Sequence, residues 1–169
     1  MGDHLRPKGT HGERKEQEHM KSPIAVFPGT FDPITIGHVS IVVRALPLFD
    51  RIIIGMGVNN TKKTMFAEEQ RLAWIEQAFK EHANVEAVAF EGLTVNLCKK
   101  VGASFILRGL RNSTDYGYER SIALMNRQIS GVETIFLPSA PEHAHISSTI
   151  VRELLANKAD VSALVPMAI

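Results

Sequence analysis

Four groups of side chains in this 169-residue sequence have the types and spacing to hold phosphate. The first is Gly29-Thr30-Phe31-Asp32-Pro33-Ile34-Thr35-Ile36-Gly37-His38. Here glycine lets the backbone come close to a ligand, a hydroxyl stands beside it, and His38 falls in the opening turn of a helix whose free N–H groups favour an anion. The second is Lys62-Lys63, within the polar run Asn59 to Thr64. The third is Arg108-Gly109-Leu110-Arg111, two permanently charged guanidiniums whose forked donors suit phosphate oxygens. The fourth is Ile146-Ser147-Ser148-Thr149, consecutive hydroxyls that could cap a helix or hold part of a polyphosphate.

Each group has a plainer explanation when taken alone. A glycine turn is common, a lysine pair is usually solvated, and Glu119 could be no more than an intrahelical partner of Arg111 or Arg120. What adds weight is their placement among the predicted elements. Ile24 to Phe27 reads as a strand, with a helix expected from Val39 to Phe49 and disturbed by Pro47. Arg51 to Val58 is continuous apolar sequence, the mark of a strand buried on both faces. A helix follows over 67–82, with Glu68-Glu69 at its positive end and Leu72, Trp74, Ile75 and Phe79 on its apolar stripe, so Trp74 is assigned to the core. Val85 to Phe90 is a third strand, Leu93 to Val101 a helix, and Ala103 to Leu107 a fourth strand, directly followed by Arg108. Asn112 to Asp115 signal a helix start, the helix itself spans Tyr116 to Ile129, and Val132 to Leu137 is a fifth strand. Pro138 to His145 form a loop before the last helix, which passes through Val151, Leu154 and Leu155. Strand and helix alternate throughout, which predicts an α/β fold: one Rossmann-like, doubly wound, five-stranded parallel sheet in a single domain. In such sheets, loops at the carboxyl ends of strands bind ligands, and all four groups fall on such loops.

Composition limits the remaining possibilities. With 44% hydrophobic and 22% charged residues and a net charge of +1, the chain reads as an ordinary soluble domain rather than a general nucleic-acid or membrane-surface binder. No apolar run is long enough to span a bilayer. Cys98 is the single cysteine and has no internal partner, which fits a reducing compartment. Residues 1–20 are charged and poor in large apolar side chains, and are expected to form a disordered leader carried over from cloning, so His4, His11 and His19 carry no metal-site weight. Residues 21–169 are then the domain, whose end after Val165-Pro166 lacks an expected closing helix.

The run from Gly29 to His38 resembles the G-T-F-D-P-x-T-x-G-H element of the nucleotidyltransferase superfamily, with Thr35-Ile36-Gly37-His38 in the place of its (H/T)xGH signature. To this are added Lys62-Lys63-x-Met65-Phe66, Arg108-Gly-Leu-Arg111, Asp115-Tyr-Gly-Tyr-Glu119, Met125-Asn126-Arg127 and Ile146-Ser-Ser-Thr149. With them, the chain from Ile24 to Pro166 is similar to the bacterial phosphopantetheine adenylyltransferases. The resemblance implies a cytoplasmic homohexamer that transfers an adenylyl group from ATP, with Mg2+, to 4′-phosphopantetheine, giving dephospho-coenzyme A and pyrophosphate, and makes coenzyme A a candidate feedback ligand.

By the same resemblance, Thr30 touches both substrates and Phe31 the nucleotide, while His38 binds ATP phosphate and stabilises the transition state. Lys62 holds the acceptor phosphate, and Thr94 and Arg108 contact the same substrate. Gly109, Leu110, Arg111, Glu119 and the run His143, Ala144, His145, Ile146, Ser147, Ser148 and Thr149 line the ATP site. Ile36, Thr94 and His143 depart from the residues usual at their positions, His143 standing where an aromatic near the adenine is common. Transfer onto a phosphate monoester needs no strong base, because its second pKa lies near 6. It needs two mutually repelling anions aligned, and positive charge where the α-phosphorus and the leaving pyrophosphate gather negative charge. Lys62 and Arg108 suit the first task, His38 and Arg111 the second. Two other readings stay open: a nucleotidyltransferase for nicotinate mononucleotide or glycerol 3-phosphate, and a non-catalytic sensor of ATP or coenzyme A.

Overall fold

The computed structural model describes residues 23–169 except 60 and 62. The expected leader and Lys62 therefore lie outside the described residues. Five strands, β1 (Ile24–Gly29), β2 (Arg51–Gly57), β3 (Val85–Phe90), β4 (Phe105–Leu110) and β5 (Glu133–Pro138), form one sheet in the order β3-β2-β1-β4-β5. All four pairings are parallel. Ile52, Ile53, Ile54 and Met56 of β2 are buried on both faces, as continuous apolar sequence requires of an inner strand.

Helices α1 (Ile36–Ala45), α2 (Glu68–Ala78) and α5 (Ser148–Ala156) cover one face, with Val42, Trp74, Ile75, Phe79 and Val151 packed on Ala25, Phe27, Ile52, Ile54 and Leu107. Helix α3 (Thr94–Val101) covers the other, placing Val95, Leu97 and Cys98 against Val26, Ile53 and Ile106. Trp74 is in the core, edge-on to Phe66 at 4.8 Å. Helix α4 (Ser113–Ser130) runs beside β4 and β5 and has no buried residue. Burial of Cys98 pushes its thiol up to about 11, leaving it unreactive.

Several boundaries differ from expectation, and three departures bear on the site. The first helix begins at Ile36 because Thr35 caps it, and ends at Ala45, where Leu46–Leu48 tighten into a 3-10 turn containing Pro47. β4 does not stop at Leu107: Arg108, Gly109 and Leu110 pair with Phe136, Leu137 and Pro138 of β5, so the arginine belongs to a strand rather than a loop. The stretch after α5 has no helix, yet Val161, Val165 and Met167 are buried in the core and the Leu164 carbonyl accepts the Ile36 N–H at 3.0 Å. That stretch therefore braces the start of α1.

The strand order reverses at β1, whose pairing with β4 covers only Ala25↔Phe105 and Val26↔Ile106. Beyond them, Pro28 offers no N–H to continue the ladder, and its carbonyl accepts from Arg108 Nη1 at 2.7 Å instead. The resulting crevice between the strand ends is the switch point at which open α/β sheets bind ligands.

Candidate active site

A cavity of about 270 Å³ opens in this crevice, floored by Phe27 and Pro28 of β1. One wall comes from α1 through Gly37, His38 and Ile41, another from β4 and α4 through Arg108, Gly109, Arg111, Asp115 and Glu119. His143, Ile146, Ser147, Ser148 and Thr149 close it from the start of α5. Residues more than 100 positions apart in sequence thus face one space. Gly109 allows the close approach, since a Cβ there would lie 2.9 Å from Ile41 Cγ1.

His38 is oriented by the cap of α1. Thr35 Oγ1 accepts the His38 N–H at 3.4 Å, and His38 Nδ1 accepts the Thr35 N–H at 3.0 Å, a reciprocal capping box with histidine in the third helical position. With Nδ1 serving as acceptor, the proton of the neutral ring sits on Nε2, the donor left for a ligand. Burial, with the positive charges of Arg108 and Arg111 added, lowers the pKa of His38 to about 4. The histidine of the ligand-free protein is therefore a neutral hydrogen-bond donor at pH 7, not the cation expected from sequence.

The arginines are also less free than their spacing suggests. Arg108 Nε donates to Glu119 Oε2 at 2.8 Å and its Nη2 to Oε1, a fork-to-fork pair. Arg111 Nε donates to Asp115 Oδ2 at 3.2 Å. Glu119 is thus a partner of Arg108, not of Arg111 or Arg120, because β4 brings residue 108 alongside α4. Each guanidinium comes with a nearby carboxylate, and the pairs fix the direction of the forks.

The Arg108–Glu119 pair also borders a second cavity of about 240 Å³, lined by Gly29, Gly57, Phe90, Thr94, Ile122, Ala123 and Asn126 among others. Thr94 therefore lies in this second space with Arg108, separated from the His38 cavity by the ion pair. Two adjoining cavities with a charged partition can receive two ligands end to end.

Not every expected residue reaches these cavities. Thr30, Leu110, Ala144 and His145 line neither of them. Phe31 is only 3% exposed, with φ at +49°, and its ring stacks edge-on beneath His38 at 5.1 Å between centroids. Its ring backs the histidine and leaves only main-chain atoms to meet a nucleotide. Gly29 serves that ring first of all, since a Cβ there would lie 2.9 Å from Phe31 Cζ. Residues not anticipated are Ser139 and Ile41 on the cavity wall, and Asp32, Arg71 and Arg152 behind it. Ser147 caps α5 through the Ile150 N–H at 3.2 Å, while Ser148 Oγ donates to the Pro33 carbonyl at 2.8 Å. Among the described residues, no group of three His, Cys, Asp or Glu side chains converges to hold a metal ion.

A switch-point crevice with a capped histidine, two strand-end arginines and a serine-rich helix start defines a nucleotide-binding α/β protein. The cytidylyltransferase-like family model matches residues 26–154. A phosphopantetheine adenylyltransferase of Flavobacterium psychrophilum is 52% identical over 145 residues, covering 86% of this chain and 96% of its own. The protein of that name from Bacteroides thetaiotaomicron is 46% identical over 84% of this chain and 94% of its own. Among solved structures, a putative nicotinate-nucleotide adenylyltransferase from Vibrio parahaemolyticus superimposes with a TM-score of 0.65 at 20% identity, covering 85% of this chain and 86% of that one. At that identity the likeness concerns the fold alone. The chain belongs to the cytidylyltransferase-like family and, within it, to the phosphopantetheine adenylyltransferases.

Proposed function

We propose that the protein transfers the adenylyl group of ATP to 4′-phosphopantetheine, forming dephospho-coenzyme A and pyrophosphate by in-line attack of the acceptor phosphate on the α-phosphorus. The observation that carries this reading is the pair of cavities meeting at Arg108–Glu119, with His38 on one side and Thr94 on the other. ATP occupies the His38 cavity, its phosphates toward His38 and the α5 start and its base near His143, whose buried Nδ1 has no partner among the described residues. Gly109, Arg111, Glu119, His143 and the run from Ile146 to Thr149 complete that side. The acceptor lies in the second cavity against Thr94, its phosphate carried toward Lys62 and Arg108.

The residues then divide the work. The acceptor phosphate is its own nucleophile near neutral pH and asks for no base. Lys62 and Arg108 hold it against a second anion, converting an encounter of like charges into an oriented approach. His38 Nε2–H donates to an oxygen on the α-phosphorus, a contact that strengthens as charge accumulates there in a cavity of low dielectric. Arg111 and the Ser147–Thr149 hydroxyls and amides receive the departing pyrophosphate. Mg2+ bound to the triphosphate would supply further charge neutralisation. The enzyme works as a cytoplasmic homohexamer in this proposal, with coenzyme A as a feedback ligand.

The test is to mix the protein with Mg2+, ATP and one acceptor at a time and to record pyrophosphate release. Release with 4′-phosphopantetheine alone is the expected result. Release with nicotinate mononucleotide or glycerol 3-phosphate would reassign the acceptor, and none with any of them would leave a nucleotide sensor.

A further inference from the structure

Asp32 stands in the β1–α1 loop, but its side chain serves another loop. The carboxylate is 4% exposed and turned inward. Its Oδ2 accepts the Met65 N–H at 2.9 Å and its Oδ1 the Phe66 N–H at 3.0 Å, so both oxygens are committed to consecutive amides 33 and 34 residues away. Those amides lead into α2, whose N-cap is Ala67, a residue with no side chain able to cap. A foreign carboxylate thus supplies the anion that the positive end of α2 lacks.

The loop that carries Asp32 is itself held from two sides. Arg71 of α2, 3% exposed, donates from Nη1 to the Thr30 carbonyl at 2.6 Å. Arg152 of α5 donates from Nη1 to the Asp32 carbonyl at 2.7 Å. The two guanidiniums therefore grip the main chain on either side of Phe31, whose left-handed backbone would relax without such restraint. Charge-assisted hydrogen bonds to a buried group are among the strongest a loop can make. The consequence is mechanical: Met65 and Phe66 are registered against the loop beneath His38, and through Arg152 against the serine-rich start of α5.

We propose that Asp32 is a positioning residue for the acceptor substrate, which through the Met65 and Phe66 amides anchors the carboxyl end of the β2–α2 connection at the distance from the nucleotide loop that transfer requires. This rests on the reading of Lys62, within that connection, as the ligand of the acceptor phosphate. Asparagine at position 32 keeps the size but turns one of the two acceptors into a donor facing an N–H, so one of the bonds to Met65 and Phe66 is lost.

The experiment is steady-state kinetics by pyrophosphate release on the full chain, comparing wild type, Asp32→Asn, Lys62→Ala and the double variant. Asp32→Asn is expected to raise KM for 4′-phosphopantetheine about tenfold, the loss of one charge-assisted bond, with KM for ATP within about twofold of wild type. In the Lys62→Ala background the same substitution should add less than about a twofold change, because the group it positions is gone. An unchanged acceptor KM, an equal rise in both KM values, or full additivity in the double variant would overturn the proposal. If Lys62→Ala alone leaves the acceptor KM unchanged, the lysine assignment fails, and a KM split in Asp32→Asn would still support positioning through another group of the segment. Should Asp32→Asn not fold, hydrogen exchange on the wild-type protein decides. The Met65 and Phe66 amides should be protected roughly 100-fold beyond the Lys63 amide, and equal exchange rates would overturn the clamp.

Discussion

At the scale of single residues, His38 couples the fold to the chemistry. The same ring nitrogen that caps α1 fixes which nitrogen is left to donate, so tautomer and orientation are set before substrate arrives. His38→Ala is expected to leave ATP binding nearly intact and to lower kcat by roughly 100-fold to 1000-fold, the usual cost of deleting one donor to transition-state charge. Loss of ATP affinity at unchanged kcat in the same assay would remove it from that role. The ring also leaves a signature in stability. Its folded pKa of about 4 lies below the ordinary histidine value of 6.5, so between these values the unfolded chain binds a proton that the folded one refuses. Stability should therefore be full above pH 6.5 and decline as pH falls toward 4, by on the order of 2 kcal/mol after allowing for partial solvent contact. Urea unfolding at several pH values, compared with His38→Gln, measures it; the variant should lose that part of the slope.

At the scale of elements, the β1–α1 loop is the piece on which most depends. Gly29, Phe31 and His38 form a stack in which each occupies space the next requires. Gly29→Ala forces a methyl group against the Phe31 ring, which cannot withdraw because His38 lies above it. The expected cost is about 1–3 kcal/mol of overpacking, read as a fall of several degrees in Tm, together with a drop in kcat from the displaced histidine. A Tm within a degree of wild type would mean that the ring has room. The Arg108–Glu119 pair belongs to the same scale, since it requires β4 and α4 side by side. Sequence alone offered Arg111 and Arg120 as candidate partners of Glu119. The strand extension through Leu110 made Arg108 the actual one.

At the scale of the whole molecule, α4 is the element without a home in a single chain. Eighteen residues long with none buried, it exposes Leu124, Met125 and Ile129, and leaves Tyr118 71% exposed. A helix of that length gains little from propensity alone and ordinarily rests on tertiary burial. The homohexamer proposed above would supply such burial between copies. Multi-angle light scattering should give a mass six times that of the chain, and Met125→Glu with Ile129→Glu should lower it; a monomer mass for the wild type would reject the assembly.

Much of this architecture was legible in the order of residues. Alternating apolar runs and capped helices are local signals, and local signals decide which elements form: β2 is apolar throughout because both its faces are covered, and Gly29 to His38 reads as a strand, a turn and a helix start by itself. The four groups read as candidates for phosphate could be picked out for the same reason, each being contiguous. What the sequence by itself could not decide was every relation across the sheet. The pairing of Arg108 with Glu119 and Arg111 with Asp115, the neutral state of His38, the burial of Phe31 beneath it, and the reach of Asp32 to Met65 and Phe66 depend on the order β3-β2-β1-β4-β5 and on the truncated pairing of β1 with β4. Strand order arises from the packing of distant segments against a common core, and charge and burial at a site follow from which distant groups that packing brings within a few ångströms.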